Sequence, residues 1–491
     1  MSPAASAPVV APQLRDQCRG EPALTARLAA WQLAVLAQPE RIDAWLSEFG
    51  SPLNVLGLEP FAQNAAELTA SAARQRVRFR IFFARKANKC LAFVDEAHRL
   101  GFGVDLASEP ELRQALERGV AGRDLIVTAA VKPSRLLELA LASEATVALD
   151  NGDEIEALSS LVAARGGEAP VALRLGNFTP ALRSRFGIDA ASALAVADAM
   201  WGDDGPARGR LRIEGVHFHL DGYAAPDRVE ALALTFPIVD ELRRRGHRIG
   251  WVDIGGGIPM SYLDSADEWE RFWAAHHAAL VGRGARVTFA DHALGLAVHE
   301  GAVSGAPRVY PNHQRPIRGE WLEHVLAAPV MVGDRYEPVS DALRHRDLEL
   351  RCEPGRALLD GCGLTAARVE FRKRLPDGEW LIGLDMNRTQ CRSAADDHLV
   401  DPIVLRGSET LRSGEPIAGY LVGAYCIERE LLTWRRLTFP HGVQIGDIVV
   451  FPNTAGYFMH ILESRAHQLP LARNVVFDPG TSDVTLDPID C

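Results

Sequence analysis

The sequence has no C-x-x-C pair. Its seven cysteines (Cys18, Cys90, Cys352, Cys362, Cys391, Cys426 and Cys491) are scattered along 491 residues. That excludes a zinc ribbon or a disulfide scaffold and suits a reducing, cytoplasmic setting. Positive charge is also scarce: 53 Lys and Arg against 64 Asp and Glu leave a formal net charge of -11. Neither nucleic acid nor an anionic membrane surface is then an expected partner. No apolar run approaches the length of a bilayer span. The first residues are rich in Ala, Pro and Ser and lack a basic stretch followed by an apolar one. Residues 1–20 therefore read as a disordered leader and not as a signal peptide. There is no internal repeat and no heptad run.

What is present is enough apolar material for two or three domains, with 47% hydrophobic and 24% charged residues. Residues 22–50 carry Leu24, Leu28, Trp31 and Val35 at helical spacing, and Pro39 divides them into two helices. From there to about residue 355 strand-like and helix-like segments alternate. The apolar runs Ile81–Phe83, Leu125–Val127, Thr146–Leu149, Val171–Leu175, Val216–Leu220, Trp251–Ile254 and Val287–Phe289 read as strands. Alternation of that length implies a parallel sheet, and about eight units close a β/α barrel. Residues 291–346, with several prolines, histidines and a helix near Gly319–Ala328, are an insertion. After about residue 360, Val369–Arg372, Trp380–Leu384, Ile417–Val422 and Asp447–Phe451 define a mostly β domain. Asn387–Pro402 is polar and reads as a loop.

Several short stretches carry chemistry, each beside an ordinary reading. Lys86 follows the strand Ile81–Phe83. Most such lysines are solvated, but a desolvated one forms a Schiff base with an aldehyde cofactor, pyridoxal phosphate (PLP). Gly255, Gly256 and Gly257 follow a strand within Asp253–Pro259. They are either a flexible turn or bare amides for a phosphate. Glu353, Gly355 and Arg356 end another strand; the arginine beside a bare amide suits a phosphate, and the carboxylate suits a pyridine nitrogen. His217 and His219 alternate on one strand and face the same side. No acid or thiol stands at ligand spacing from them, so no metal is expected, and a flat imidazole against a cofactor ring is the sharper reading. Cys426, followed by Glu428, Arg429 and Glu430, is a proton donor or a buried thiol. Tyr457, after Asn453-Thr454-Ala455-Gly456, caps a phosphate or fills a turn.

In that order the motifs resemble the fold-type III PLP decarboxylases, the group with diaminopimelate, ornithine and arginine decarboxylases. The resemblance runs from about Asn54 to Met459. It implies a β/α (TIM-like) barrel of the alanine racemase type over residues 53–360. A β domain over 361–491 would be joined by the N-terminal segment 21–52. Lys86 would bind the cofactor aldehyde and His219 would stack on its ring. Gly255, Gly256, Gly257, Gly355, Arg356 and Tyr457 would hold the phosphate, and Glu353 would pair with the ring nitrogen. Asp105 and Arg174 fall on strand ends that line the pocket in this family. Cys426 matches the cysteine that returns a proton, and Glu430 falls where the family carries an acid. The resemblance also implies a homodimer whose cysteine segment completes the neighbour's active site.

The chain departs from the pattern in three places. His219 is followed by Leu220-Asp221-Gly222-Tyr223 in place of x-Gly-Ser, so a serine contact to the phosphate is lost or taken over by an amide. Ile427 follows the cysteine where diaminopimelate decarboxylases have a glutamate, and Glu428 stands one step on. No Arg-Pro-x-x-Tyr clamp occurs near Arg388. The motif set is closest to siderophore-pathway and rhizobial relatives. The expected activity is decarboxylation, by way of an external aldimine and a quinonoid, of a diamino, dicarboxylic or conjugated amino acid read by Arg388, Glu428 and Glu430. The alternatives are a racemase or other α-proton enzyme on the same barrel, and an inactive homologue that binds a partner protein.

Overall fold

Eight parallel strands close on themselves in the computed structural model of the chain, which describes residues 12–393, 398–406 and 414–491. They belong to a unit made of residues 62–259 and 316–358. In chain order they are β1 (Phe79–Ala84), β2 (Gly103–Leu106), β3 (Leu125–Val127), β4 (Thr146–Leu149), β5 (Ala169–Gly176), β6 (Leu211–Phe218), β7 (Trp251–Asp253) and β8 (Glu349–Cys352). Each pairs with the next, and Leu350 of β8 lies opposite Phe79 of β1, closing the ring. Runs such as Leu125-Ile126-Val127 are buried on both faces, as parallel strands covered by helices must be.

The barrel interior shows why these residues pack as they do. Phe82, Ile126, Ala172 and Trp251 form one buried cluster, one residue from each odd-numbered strand. That is the layering by alternate strands expected of a filled barrel. Two of the even strands make room with glycine. A Cβ on Gly103 of β2 would lie 2.3 Å from the Phe82 ring, and one on Gly215 of β6 would lie 2.1 Å from Trp251. The Arg351 guanidinium lies over both rings, 4.1 Å from Trp251 and 5.1 Å from Phe82. Outside, Ser108 and Asn151 cap the helices Glu109–Glu117 and Gly152–Arg165 by accepting from the N–H groups of Glu111 and Glu154.

The other unit contains residues 1–61, 260–315 and 359–491. Its hub is the twelve-residue strand Gly363–Arg374, which pairs with Leu53–Leu56, Trp380–Leu384 and Ile448–Pro452. Ala367, Val369, Ile382, Leu384, Leu421, Phe439, Val449 and Phe451 form its core.

Several expectations need correction. Val287–Phe289 is not a strand: only Thr288 bridges, to Arg435, and Ala290 turns left-handed (φ 48°) within the short helical turn Phe289–Asp291. The barrel strand Gly103–Leu106 was not anticipated, because an aspartate interrupts its short apolar run. Residues 291–346 are no single insertion. Residues up to 315, with the hairpin Leu296–His299/Ala302–Gly305, go with the β unit, and Pro329–Val332/Arg335–Pro338 with the barrel unit. Of the leader, residues 1–11 lie outside the described residues, but Arg19–Gly20 pairs antiparallel with Leu437–Phe439 and Cys18 is buried. Helix at the next segment begins only at Ala30, and Pro39 opens the second helix, Pro39–Phe49, where a missing N–H costs nothing.

Candidate active site

The chain has four lysines, Lys86, Lys89, Lys132 and Lys373. Lys86 stands two residues past β1 in a helical turn, Arg85–Ala87, at the C-terminal end of the barrel. Its Nζ donates to Asp105 Oδ2 at 2.7 Å and lies 4.0 Å from Glu353 Oε2. Lys132, by contrast, is spent on Glu154 at 2.9 Å. Asp105, fully buried on β2, also accepts from the Thr128 hydroxyl.

Strand register assembles the rest. Arg174 of β5 lies opposite His217 of β6, and His217 opposite Asp253 of β7, so three chemical side chains form a row across neighbouring strands. His217 Nε2 meets Glu353 Oε1 at 3.1 Å. Glu353 Oε2, Asp253 Oδ2 and His217 Nδ1 are buried without a hydrogen-bond partner. His217, Asp253 and Glu353 each present a ligand atom within 4.8 Å of the others, a spacing that would suit a metal ion. The acids that sequence spacing denied the histidine strand thus come from other strands. Arg174 Nη1 donates to the Thr128 carbonyl at 3.3 Å and to Asp150 Oδ1 at 3.0 Å, and its guanidinium lies 4.4 Å from the Phe186 ring.

Burial biases the protonation of this cluster, and the neighbouring charges add to it or oppose it. It pushes the carboxyls of Asp105 and Asp253 up, with the charge of Glu353 adding to both. Burial raises Glu353 too, against the opposing charges of Lys86 and Arg174. His217 and His219 are held well below the ordinary histidine range by burial and by Lys86 and Arg174. Burial therefore favours the proton-bearing form of the carboxyls at the barrel end and the neutral form of both imidazoles.

His219 lies just past β6, and its Nδ1 accepts the Gly256 N–H at 3.1 Å, which leaves its proton on Nε2. The glycine triplet is shaped by close approach. Gly255 (φ 66°) and Gly257 (φ 74°) are left-handed. A Cβ on Gly255 would lie 2.6 Å from the Phe218 carbonyl, and one on Gly256 2.8 Å from that of Glu353. Gly355 accepts from Leu358 N at 3.1 Å, and Arg356 opens the turn Arg356–Leu359.

The remaining expected residues lie in the β unit. Cys426, Ile427, Glu428 and Arg429 are exposed in succession. Glu430 is buried, accepts the Arg388 N–H at 2.8 Å and lies 3.5 Å from the Arg388 side chain. Burial pushes Glu430 up, and these contacts oppose it. A Cβ on Gly423 would meet Glu430 Oε1 at 2.5 Å, so glycine there lets the cysteine turn fold over the acid. Tyr457 (φ 71°) sits in a turn opened by left-handed Asn453, whose amide donates to the Arg27 carbonyl at 2.6 Å.

Sequence reasoning left His217, Asp253 and Thr128 without roles. Asp253 had a signal, an acid at a strand end two residues before a glycine triplet. Thr128 had none.

A barrel whose strand ends gather a paired lysine, a buried glutamate with one oxygen left over and a glycine triplet is that of a PLP enzyme. The orphaned Glu353 oxygen is what the cofactor's ring nitrogen requires. A family profile described as pyridoxal-dependent decarboxylase, pyridoxal binding domain, matches residues 63–285. An uncharacterized protein, y4yA, of Sinorhizobium fredii is 30% identical over 447 residues, 90% of this chain and 92% of the relative. The diaminopimelate decarboxylase of Vibrio cholerae is 23% identical over 414 residues, 81% of each chain. A solved diaminopimelate decarboxylase of M. jannaschi shares the fold with a TM-score of 0.67, 18% identity and 90% of each chain covered. The chain belongs to the fold-type III pyridoxal-dependent decarboxylases, carboxy-lyases that use PLP. Among the described residues no helix is long and apolar enough to cross a membrane.

Proposed function

We propose that this chain decarboxylates a diamino, dicarboxylic or conjugated amino acid, with Lys86 as the residue that carries PLP between turnovers. The observation that supports this best is the setting of Lys86, paired with Asp105 at 2.7 Å and 4.0 Å from an unpartnered buried oxygen of Glu353. PLP, when bound, supplies an aldehyde carbon that captures amines and a ring that accepts an electron pair while its nitrogen stays protonated. Glu353 holds the proton at that nitrogen, and His217 Nε2 fixes its other oxygen. Asp105 offers the lysine an acceptor and a counter-charge, and Arg174 supports the same wall. Neutral His219 lends a flat face to the ring. Gly255, Gly256, Gly257, Gly355, Arg356 and Tyr457 hold the phosphate.

Arg388, Glu428 and Glu430 read the substrate. Arg388 is anchored by Glu430, while Glu428 is exposed. The protein works as a cytoplasmic homodimer in which Cys426 returns a proton in the neighbour's site. The exposure of Cys426 and of Ile427, 48% accessible in the single chain, supports that reading.

Absorption spectra of wild type and Lys86→Ala test the core of the proposal. The visible band of bound PLP is expected in the first and absent from the second. Release of CO2 from diamino and dicarboxylic amino acids is expected from wild type only. A PLP band that survives in Lys86→Ala would overturn the assignment.

A further inference from the structure

Arg228 is a buried cation that none of the roles above uses. It is the fourth residue of the helix Ala225–Arg244 and is fully inaccessible. No carboxylate pairs with it among the described residues. One nitrogen, Nη2, donates to the carbonyls of Gly222 at 2.7 Å, Leu220 at 3.1 Å and Gly256 at 3.3 Å. Nε and Nη1 have no partner. Burial pulls the guanidinium down to about 10, with the charges of Asp227 and Asp221 opposing. An uncompensated buried guanidinium is costly, and three neutral carbonyls do not neutralise it.

The three carbonyls are not arbitrary. Those of Leu220 and Gly222 come from the turn that replaces the family's x-Gly-Ser stretch, and the third comes from the glycine triplet. In a trans peptide the N–H points opposite to the C=O. Turning the Gly256 carbonyl onto Arg228 turns the Gly257 N–H away from it, and the Leu220 carbonyl does the same for the Asp221 N–H. Two of the triplet's amides are committed within the barrel unit: Gly255 N–H to Asp253 Oδ1 at 2.8 Å and Gly256 N–H to His219. Among the described residues the Gly257 amide has no acceptor. Its glycine is required by the same arginine, since a Cβ there would lie 2.1 Å from Arg228 Nη2.

We propose that Arg228 is the positioning residue of an anion cradle for the cofactor's phosphate ester. It binds the 220–222 turn and the triplet into one surface, aims their free amides outward and lays a positive charge behind them. The inference rests on the reading of the barrel site as a PLP site. It assigns the charge and geometry that the missing serine leaves unfilled.

The test compares PLP with pyridoxal, which lacks the phosphate. Each is titrated into apo wild type, Arg228→Met and Arg228→Lys, and binding is followed by absorption. Wild type is expected to prefer PLP. In Arg228→Met that preference falls by about 30-fold, the loss of one charge-assisted hydrogen-bond network, while pyridoxal affinity stays within about 3-fold. In Arg228→Lys, which keeps the charge and loses the fork, the preference falls by less. A preference unchanged in whichever variants fold, or a parallel loss for both ligands, would overturn the role. Wild type that binds neither ligand would instead sink the PLP reading of the site.

Discussion

At the scale of single residues, Asp253 tests how protons are stored beneath the site. Its Oδ1 accepts the Gly255 N–H at 2.8 Å, while Oδ2 is buried without a partner beside Glu353. Burial and the neighbouring glutamate raise its carboxyl, so the folded protein keeps a proton that the unfolded chain releases. The stability tied to that proton is full below the ordinary aspartate range, about pH 4, and is lost as pH rises toward the raised value. In Asp253→Asn the amide oxygen can still accept from Gly255 and no proton is at stake. The variant's apo form is expected to melt above wild type at pH 8 and no higher at pH 4. Melting curves across that window check it; a gap that does not change with pH would show that Asp253 is ionised in both states.

At the scale of elements, a two-residue strand before residue 22 is part of the β sheet. Arg19 and Gly20 pair with Thr438 and Leu437, and Thr438 also donates its hydroxyl to the Arg19 carbonyl at 3.0 Å. Leu24 N–H reaches Asp401 at 3.0 Å, and Asp401 holds buried Arg435 at 2.5 Å. Removing residues 1–20 strips one strand and exposes the Cys18 contact with the core, at a cost of about 2–3 kcal/mol. Denaturant unfolding of the truncated chain measures it. The helix Ala225–Arg244 shows the converse case, an element whose first turn serves a site through Arg228 while its later turns, with Leu232, Phe236 and Val239, are buried.

At the scale of the whole molecule, the proposal that Cys426 acts in a neighbouring copy makes a genetic prediction. Lys86→Ala and Cys426→Ala homodimers are each expected to be nearly inactive. Mixed before assembly in equal amounts, they form half heterodimers, each with one intact site. Activity is then expected to return to about a quarter of wild type, as random pairing of two inactive parents gives. Sedimentation reports the dimer and CO2 release the activity. No recovery in mixtures shown to exchange subunits would place Cys426 and Lys86 in the same chain's site, and an active Cys426→Ala parent would remove the cysteine from the chemistry.

Much of this architecture was legible in the sequence, because its signals are local. Strand–helix alternation marks a barrel, a strand's end marks where loops carry chemistry, and Lys86, Gly255–Gly257 and Glu353 announce themselves by standing there. Local signals also misled. Val287–Phe289 has the composition of a strand, yet a left-handed Ala290 ends it, and Gly103–Leu106 hides a barrel strand behind one aspartate. What only the tertiary structure decided is which distant residues share a proton or a charge. Arg174, His217 and Asp253 meet because parallel strands in register set residues dozens apart side by side, and Glu353 joins them from just past the end of β8. Arg228 faces the glycine triplet only because a helix start is folded back against two loops. Residue type and spacing set the menu of chemistry in this chain, and strand register and burial chose from it, since both depend on contacts that no local pattern encodes.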